Sequence, residues 1–220
     1  MMVKKIAIVL LCIALGTSLY AREDISKGDI FIGLEIGSTK IDSSTKVFLT
    51  DDEDDIIGDP AKYDGGSEIE YGIRIGAEKD EWRTTLLYSY YNNDDEGIEE
   101  TMHKGSLLLD YFIWSSNSID YNVKPYIGLN VGYMSYEASG DLLGEGNQVY
   151  ADDSGLFYGA QAGIAMTISE VVQLDLSYRY SLTSMDDSEN EKELGSDVWL
   201  NSVNSIDNMG SIVFSVNYFY

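Results

Sequence analysis

The 220-residue sequence contains a single cysteine, Cys12, and only two prolines, Pro60 and Pro125. Cys12 lies in the apolar run 6–15 and follows a leucine, whereas a lipid-attachment site needs a small residue there, so we expect no lipidation. The rest of the chain has no cysteine, which excludes disulfides as a source of stability outside the cytoplasm. We expect Pro60 in an acidic loop and Pro125 at the start of a strand, where a missing N–H is tolerated.

Basic residues and long hydrophobic runs are also scarce. Only 14 Lys and Arg oppose 38 Asp and Glu, which gives a formal net charge of −24. This balance excludes a nucleic-acid surface, because binding along a phosphate backbone needs stripes of basic side chains. The mean hydropathy of −0.15 is polar, so we expect no membrane-spanning helix in the chain. The run 6–15 is too short to cross a bilayer as a helix.

The first 21 residues have the pattern of a secretory signal peptide. Lys4 and Lys5 form its charged region, the run 6–15 forms its apolar region, and Ala21 is the expected cleavage residue, with Gly16 as the alternative. We expect residues 22–220 to form one exported domain. Without Lys4 and Lys5 the chain keeps 12 bases against 38 acids, a net charge of −26.

Apolar and polar residues alternate in eight segments of this domain, which is the period of a β-strand with one apolar face. The last segment, 211–220, ends the chain on an apolar strand that would expose an aggregating edge in a soluble protein. A closed barrel in lipid needs this strand, because it pairs with the first one and leaves no edge. Short turns and long polar loops alternate between the segments, and the predicted long loops are 41–66, 92–100, 137–154 and 183–207.

The aromatic residues distinguish a membrane barrel from a soluble β-sandwich, which also contains short alternating strands. Each segment has about ten residues, enough to cross a bilayer when tilted. If odd-numbered strands run outward, one group of aromatic side chains lies at the outer end of the apolar face: Tyr71, Tyr88, Tyr90, Tyr133, Tyr158, Tyr178 and Tyr180. A second group lies at the inner end: Trp82, Tyr111, Tyr218 and Tyr220. Two such girdles predict an all-β, eight-stranded antiparallel up-and-down transmembrane β-barrel with four long extracellular loops.

Two segments, 124–133 and 173–180, resemble strands of the small eight-stranded outer-membrane proteins. That superfamily includes the transmembrane domain of outer-membrane protein A, the outer-membrane protein X type and the opacity-type surface proteins. The resemblance implies a location in the outer membrane of a Gram-negative envelope, contact with its lipids and lipopolysaccharide, and insertion by the barrel-assembly machinery through the strand ending at Tyr220. No wall-binding domain follows Tyr220, so we expect no anchoring to the cell wall.

The inward face of the predicted barrel carries charged and amide side chains: Glu35, Glu70, Arg74, Asp110, Asn130, Asp175, Arg179 and Asn217. An eight-stranded barrel is just wide enough for side chains to fill. Buried charges there must pair, since an unpaired ion costs several kcal/mol. We therefore predict a lumen plugged by ion pairs, with a narrow gated conduit as the alternative. Glycines four residues apart (33/37, 72/76, 128/132 and 159/163) make room for the long side chains.

Candidate chemistry is sparse. The only histidine, His103, precedes Ser106 by three residues, a spacing that puts the two on opposite faces of a strand, so they cannot form a local Ser–His pair. Acidic clusters at 51–55, 94–96, 152–153 and 186–187 lack the spacing of a calcium loop, so we expect a solvated acidic surface there, with weak divalent-cation contacts to lipopolysaccharide phosphates as the alternative. The sequence therefore predicts no catalytic, cofactor-binding or metal-ligating residue, and no cofactor.

The functional expectation is a structural or surface-interaction role, in envelope integrity or adhesion, with an extracellular partner that the sequence does not identify. The alternative is a narrow porin or a transporter of small or hydrophobic solutes. A lipid-modifying barrel enzyme is the third hypothesis.

Overall fold

The computed structural model describes nine parts of the chain: residues 30–51, 61–64, 67–95, 98–114, 116–117, 122–140, 149–184, 188–195 and 198–220. The predicted signal peptide lies outside the described residues, as do the predicted acidic clusters at 186–187 and, apart from Asp51, at 51–55. No helix in the described parts is long and apolar enough to cross a membrane.

The described chain folds as one antiparallel sheet of strands β1 to β11. The strands are β1 (Ile30–Asp51), β2 (Ala61–Asp64), β3 (Ser67–Lys79), β4 (Trp82–Asp95), β5 (Ile98–Phe112), β6 (Ser116–Asn117), β7 (Asn122–Gly140), β8 (Val149–Ser169), β9 (Val172–Thr183), β10 (Ser188–Gly195) and β11 (Val198–Phe219). Eight of them follow one another around a barrel, and pairing of β11 with β1 closes it. β2, β6 and β10 are short and flank this ring. The predicted eight-stranded up-and-down barrel is confirmed.

Side chains alternate along the strands as predicted, with apolar residues outside and polar residues inside. Leu34 and Leu129 are each 65% exposed on the outer face, whereas Arg83 and Asp110 inside the barrel have no exposed surface. β5 has leucines on both faces: Leu109 is exposed and Leu108 is buried in the lumen. The outer face therefore matches hydrocarbon and the inner face supplies polar partners, as a membrane barrel requires.

The aromatic side chains form the two predicted girdles on the outer face. Tyr71 of β3 lies opposite Tyr90 of β4 near one end of the barrel. Trp82 of β4 lies opposite Tyr111 of β5 near the other end, with ring centroids 5.1 Å apart. Amphipathic rings favour the two membrane–water interfaces, so the girdles mark the two edges of the membrane-spanning band.

Short turns lie at the end of the barrel that also carries Ile30 and Tyr220. The turn between β3 and β4 contains Asp80 in the left-handed region, with φ of 55°, a conformation that Asp tolerates better than most residues. A second two-residue turn joins Ser169 of β8 to Val172 of β9. Short turns are periplasmic in outer-membrane barrels, so the opposite end faces the exterior.

The strands run further outward than the sequence predicted. β4 and β5 stay paired as far as Asp95 and Ile98, and β7 and β8 as far as Gly140 and Val149. β1 and β11 pair as far as Asp51 and Val198. The strands therefore extend into the segments predicted as loops, at 92–100 and 137–154 and in the inner parts of 41–66 and 183–207.

The physical reason is an inversion of the hydrophobic pattern at the outer girdle. Beyond it the buried inward residues are apolar, as at Ile41, Met102 and Met134, while the outward residues Asp42 and Glu137 are polar and exposed. At this level water replaces hydrocarbon around the barrel. The paired strand segments beyond the outer girdle, which we call the outer ribbons, therefore carry apolar residues inside and polar residues outside, as a soluble antiparallel sheet does. The period of two persists, but the face that carries the apolar residues changes.

Candidate functional site

The lumen is the candidate site, because it contains five of the seven basic residues whose side chains the structure describes. Three of the four arginines of the chain lie there. All eight side chains predicted to point inward are buried, so that prediction is confirmed. The charged lumen residues are five acids and five bases: Glu35, Glu70, Glu78, Asp110, Asp175, Arg74, Arg83, Lys104, Lys124 and Arg179.

Arg83 of β4 is the centre of the network and was missing from the sequence prediction. Its Nε donates to Asp110 Oδ2 and its Nη1 to Asp175 Oδ1, both at 2.9 Å. The same Nη1 also reaches Gln173 Oε1 at 3.1 Å. The guanidinium carbon lies 4.5 Å from the ring centroid of Tyr126. Arg83 thus connects carboxylates on opposite sides of the barrel.

A second group lies one layer further outward and is built around Glu35 of β1. Arg179 Nη1 lies 3.3 Å from Glu35 Oε1, and Arg74 Nη1 lies 3.6 Å from Glu35 Oε2. Arg74 also donates to Ser215 Oγ. Arg179 Nε donates to Gln161 Oε1 at 3.1 Å, and the Gln161 amide donates to Asp110. Gln161 therefore joins this group to the Arg83 centre.

A third group closes the polar lumen toward the exterior. Lys104 Nζ and Thr39 Oγ1 both donate to Glu70 Oε2 at 2.6 Å. Thr39 and Ser211 hydroxyls lie 2.8 Å apart across the seam between β1 and β11. Lys104 was not identified from the sequence. Its inward direction follows from the alternation along the strand, because Leu107 and Leu109 point outward and even-numbered residues of β5 therefore point inward.

At the periplasmic end, Lys124 pairs with Glu78, with 2.6 Å between Nζ and Oε1. The Lys124 side chain is 20% exposed, the most of any base in the lumen ion pairs. Aromatic rings complete this end: Phe31 packs on Phe219 with centroids 5.3 Å apart, and Phe112 meets Tyr126 edge-on. The rings shield the ion pairs from the periplasmic solvent.

An apolar cluster covers the ion pairs at the outer end of the lumen. It contains Ile41, Tyr91, Met102, Met134, Tyr136, Phe157, Ile206 and Met209, all buried. The Tyr136 hydroxyl donates to Glu100 Oε1 at 2.6 Å. Burial and the neighbouring Glu100 carboxylate raise the pKa of Tyr136 well above its usual range. The sequence analysis missed this cluster, because Ile41 and Ile206 fall in segments predicted as loops and the other six residues lie just beside those segments, at the outer ends of the strands.

The lumen is electrically balanced even though the chain is strongly acidic. Five acids face five bases inside the barrel, so the net charge of −24 comes from the rest of the chain. Ions buried away from water are tolerated only with partners and further hydrogen bonds. This explains why five of the scarce bases lie in the lumen, each beside a carboxylate.

Some of the predicted lumen glycines make room for charged side chains, whereas Gly76 and Gly132 make room for the rings of Phe31 and Phe157. A Cβ on Gly128 would overlap the Asp110 carboxylate, and a Cβ on Gly72 would lie 2.6 Å from Glu35 Cγ. Real Cβ atoms do not approach other atoms this closely, so any larger residue would displace the acids from their arginine partners.

His103 and Ser106 lie on opposite faces of β5, as their spacing predicted. His103 is exposed on the outer face, where its Nδ1 lies 2.8 Å from the Tyr88 hydroxyl and its ring packs 5.1 Å from that of Tyr90. Ser106 is buried in the lumen. The pair therefore cannot act as nucleophile and base.

Among the described residues, no three His, Cys, Asp or Glu side chains are grouped closely enough to hold a metal ion. The lumen carboxylates are instead distributed among arginine and lysine partners.

Comparison with known proteins supports the fold. Neisserial surface protein A, a solved structure, covers 89% of this chain with 100% of its own length, at 16% identity and a TM-score of 0.54. The outer membrane protein OprG from Pseudomonas aeruginosa covers 90% of this chain with 99% of its length, at 17% identity and a TM-score of 0.53. No curated protein matches the chain in a sequence search. The family described as the outer membrane protein beta-barrel domain matches residues 7–218. This chain is therefore an integral outer-membrane β-barrel and belongs to that family.

Proposed function

We propose that this barrel acts as a structural and surface-displaying protein, in envelope integrity or adhesion, with a lumen that does not conduct. The balanced ion-pair network carries this proposal. Arg83 joins β5 to β9 across the interior, and Arg74 and Arg179 both reach Glu35. A path for solute would have to break these contacts and leave buried charges unpaired, which costs several kcal/mol for each ion.

The outer ribbons support a role at the cell surface. They extend beyond the outer girdle as paired strands, so they present a defined surface rather than separate loops. Glu99, Glu137 and Asp152 are exposed on them. We infer that this acidic surface meets a basic extracellular partner or binds divalent cations weakly near lipopolysaccharide phosphates.

Export and assembly complete the proposal. Residues 1–21 would direct secretion and be removed, and the strand ending at Tyr220 would be recognised by the barrel-assembly machinery. β11 pairs with both β1 and β9, so its docking is the step that closes the barrel.

A narrow conduit is the second candidate, and one observation favours it. Several buried polar atoms in the lumen have no hydrogen-bond partner, including Glu35 Oε2, Arg74 Nε and Arg83 Nη2. Such atoms could line a file of water through the polar layers. The apolar cluster around Met102 and Met134 opposes this reading, because it would interrupt the file at the outer end.

A lipid-modifying enzyme is the third hypothesis, and no observation favours it. The sole histidine bonds to a tyrosine on the lipid-facing surface, while Ser106 lies inside the barrel. We propose no catalytic residue.

Electrical recording from the purified protein in planar lipid bilayers tests the choice between the first two functions. We expect no stable open state at moderate voltages, because every ion that entered would have to displace a buried pair. A general porin inserted in the same bilayers provides the positive control. A steady conductance that recurs at each insertion event would refute the plug and favour the conduit.

A further inference from the structure

A groove of about 370 Å³ lies on the outside of the barrel, where β9, β11 and β1 run side by side. Lys40 of β1 is opposite Gly210 of β11, and Gly210 is opposite Tyr180 of β9, so the three form one row on the outward face. Gly210 has no side chain, which leaves a gap between the lysine and the tyrosine. This gap is the floor of the groove.

The groove lies at the level where the outer surface changes from apolar to polar. Two rows toward the periplasm, Ile36, Phe214 and Leu176 form an apolar row across the same three strands, and all are exposed. Tyr178 and Tyr180, which line the groove, belong to the outer girdle. A lipid of the outer leaflet would therefore place its acyl chain on the apolar row and its headgroup beside Lys40.

Lys40 has an unusual position among the basic residues whose side chains the structure describes. Five others lie in the lumen and are paired, and Lys79 lies beside the periplasmic turn. Lys40 is exposed and takes part in none of the ion pairs of the described residues. Its ammonium group is thus an available cation at the level of the lipid headgroups.

Hydroxyl and amide groups surround this cation. The Tyr178 hydroxyl lies over the gap, because a Cβ on Gly210 would be 2.8 Å from its oxygen. At the outer rim, Asn208 Nδ2 donates to Asp42 Oδ2 at 3.1 Å. Asp42 is the one carboxylate that lines the groove, and it lies at this rim, whereas the Lys40 ammonium and the Tyr178 hydroxyl are donors on the side of the membrane.

We propose that this groove binds the phosphate of an outer-leaflet lipid, with Lys40 as its cation and Gly210 as its floor. An ammonium group and phenolic hydroxyls suit phosphate oxygens, and an ammonium near a membrane surface contributes about a fivefold preference for an anionic lipid. The inference goes beyond the proposed function, which assigns no lipid-binding site to the barrel. It would stand even if the lumen conducted.

The test uses protein extracted from membranes in detergent and native mass spectrometry. Dimyristoyl phosphatidic acid is compared with dimyristoyl glycerol, which has the same chains without the phosphate. We expect the phosphate-bearing lipid to bind about fivefold more tightly. Lys40→Gln should abolish that preference, and Lys79→Gln, which removes an exposed lysine at the other end of the barrel, should leave it intact.

Gly210→Ala provides an independent variant, because it narrows the groove without changing any charge. We expect it to weaken binding of phosphatidic acid. Folding of each variant is judged by the heat-dependent shift in electrophoretic mobility, and Gly210→Ala replaces Lys40→Gln as the test if that variant fails to fold. Three results would overturn the proposal: an unchanged preference in both groove variants, an equal loss in Lys79→Gln, or displacement of the lipid by millimolar inorganic phosphate, which would identify a site for a free anion.

Discussion

Replacing Arg83 with methionine will lower the free energy of unfolding of the barrel by about 3 to 5 kcal/mol. Methionine keeps an unbranched apolar stem and lacks the guanidinium, so the change removes the charge and the hydrogen bonds together. Asp110 and Asp175 both lose their shortest ionic contact, and neither has exposed surface that would let water replace it. Urea titration of the protein in lipid vesicles, followed by tryptophan fluorescence, measures the change.

Lys79→Met is the matched control, since it removes a base from the exposed turn and should change the unfolding free energy by less than about 0.5 kcal/mol. Arg83→Lys should fall between the two, because an ammonium keeps the charge and loses the fork that reaches Asp110 and Asp175 together. If Arg83→Met proved as stable as the native chain, the ion-pair network would not hold the lumen together.

Gly159→Ala will destabilise the barrel by about 2 kcal/mol or more, the second large effect that we expect. A Cβ at this position would overlap the backbone carbonyl oxygen of Tyr180 and lie 2.7 Å from Ser181 Cα. These are backbone atoms of the neighbouring β9, so the clash cannot be relieved by rotating a side chain. The strands would have to separate, and the same urea titration would detect the loss.

Gly105→Ala is the control for this substitution, because nothing lies within 4 Å of the Cβ that it would add. Alanine has less conformational freedom to lose than glycine, so we expect this variant to gain about 0.5 kcal/mol. Equal effects at the two positions would mean that close packing of β8 on β9 is not what requires glycine at 159.

The fold was predictable because the membrane imposes two signals that the sequence carries locally. Alternation gives the direction of each side chain, and tyrosines at the interfaces mark where each strand enters and leaves the lipid. The strand ends were not predictable in the same way. At Met102, Met134 and Tyr136 the apolar face turns inward, so a search for outward apolar residues stops too early.

The sequence indicates which charged side chains point into the lumen, but it does not indicate which of them form ion pairs with one another. Arg83 follows the outward Trp82, which is enough to give its direction. Its partners Asp110 and Asp175 lie on β5 and β9, and only the register and curvature of the closed sheet bring the second within reach across the interior. Such contacts join residues far apart in the chain, and no local pattern encodes them.

The orientation of the side chains is the central claim, and photolabelling from within the bilayer tests it most directly. The native protein is placed in vesicles that contain a lipid with a diazirine in its acyl chain, and the adducts are mapped to residues by mass spectrometry. Comparing apolar residues on both faces removes any effect of chemical reactivity: Leu129 and Ile212 are exposed outside, and Leu108 and Val213 are buried inside. The account predicts adducts on Leu129 and Ile212 and none on Leu108 or Val213. Labelling of Leu108 and Val213 with Leu129 and Ile212 unmodified would contradict it.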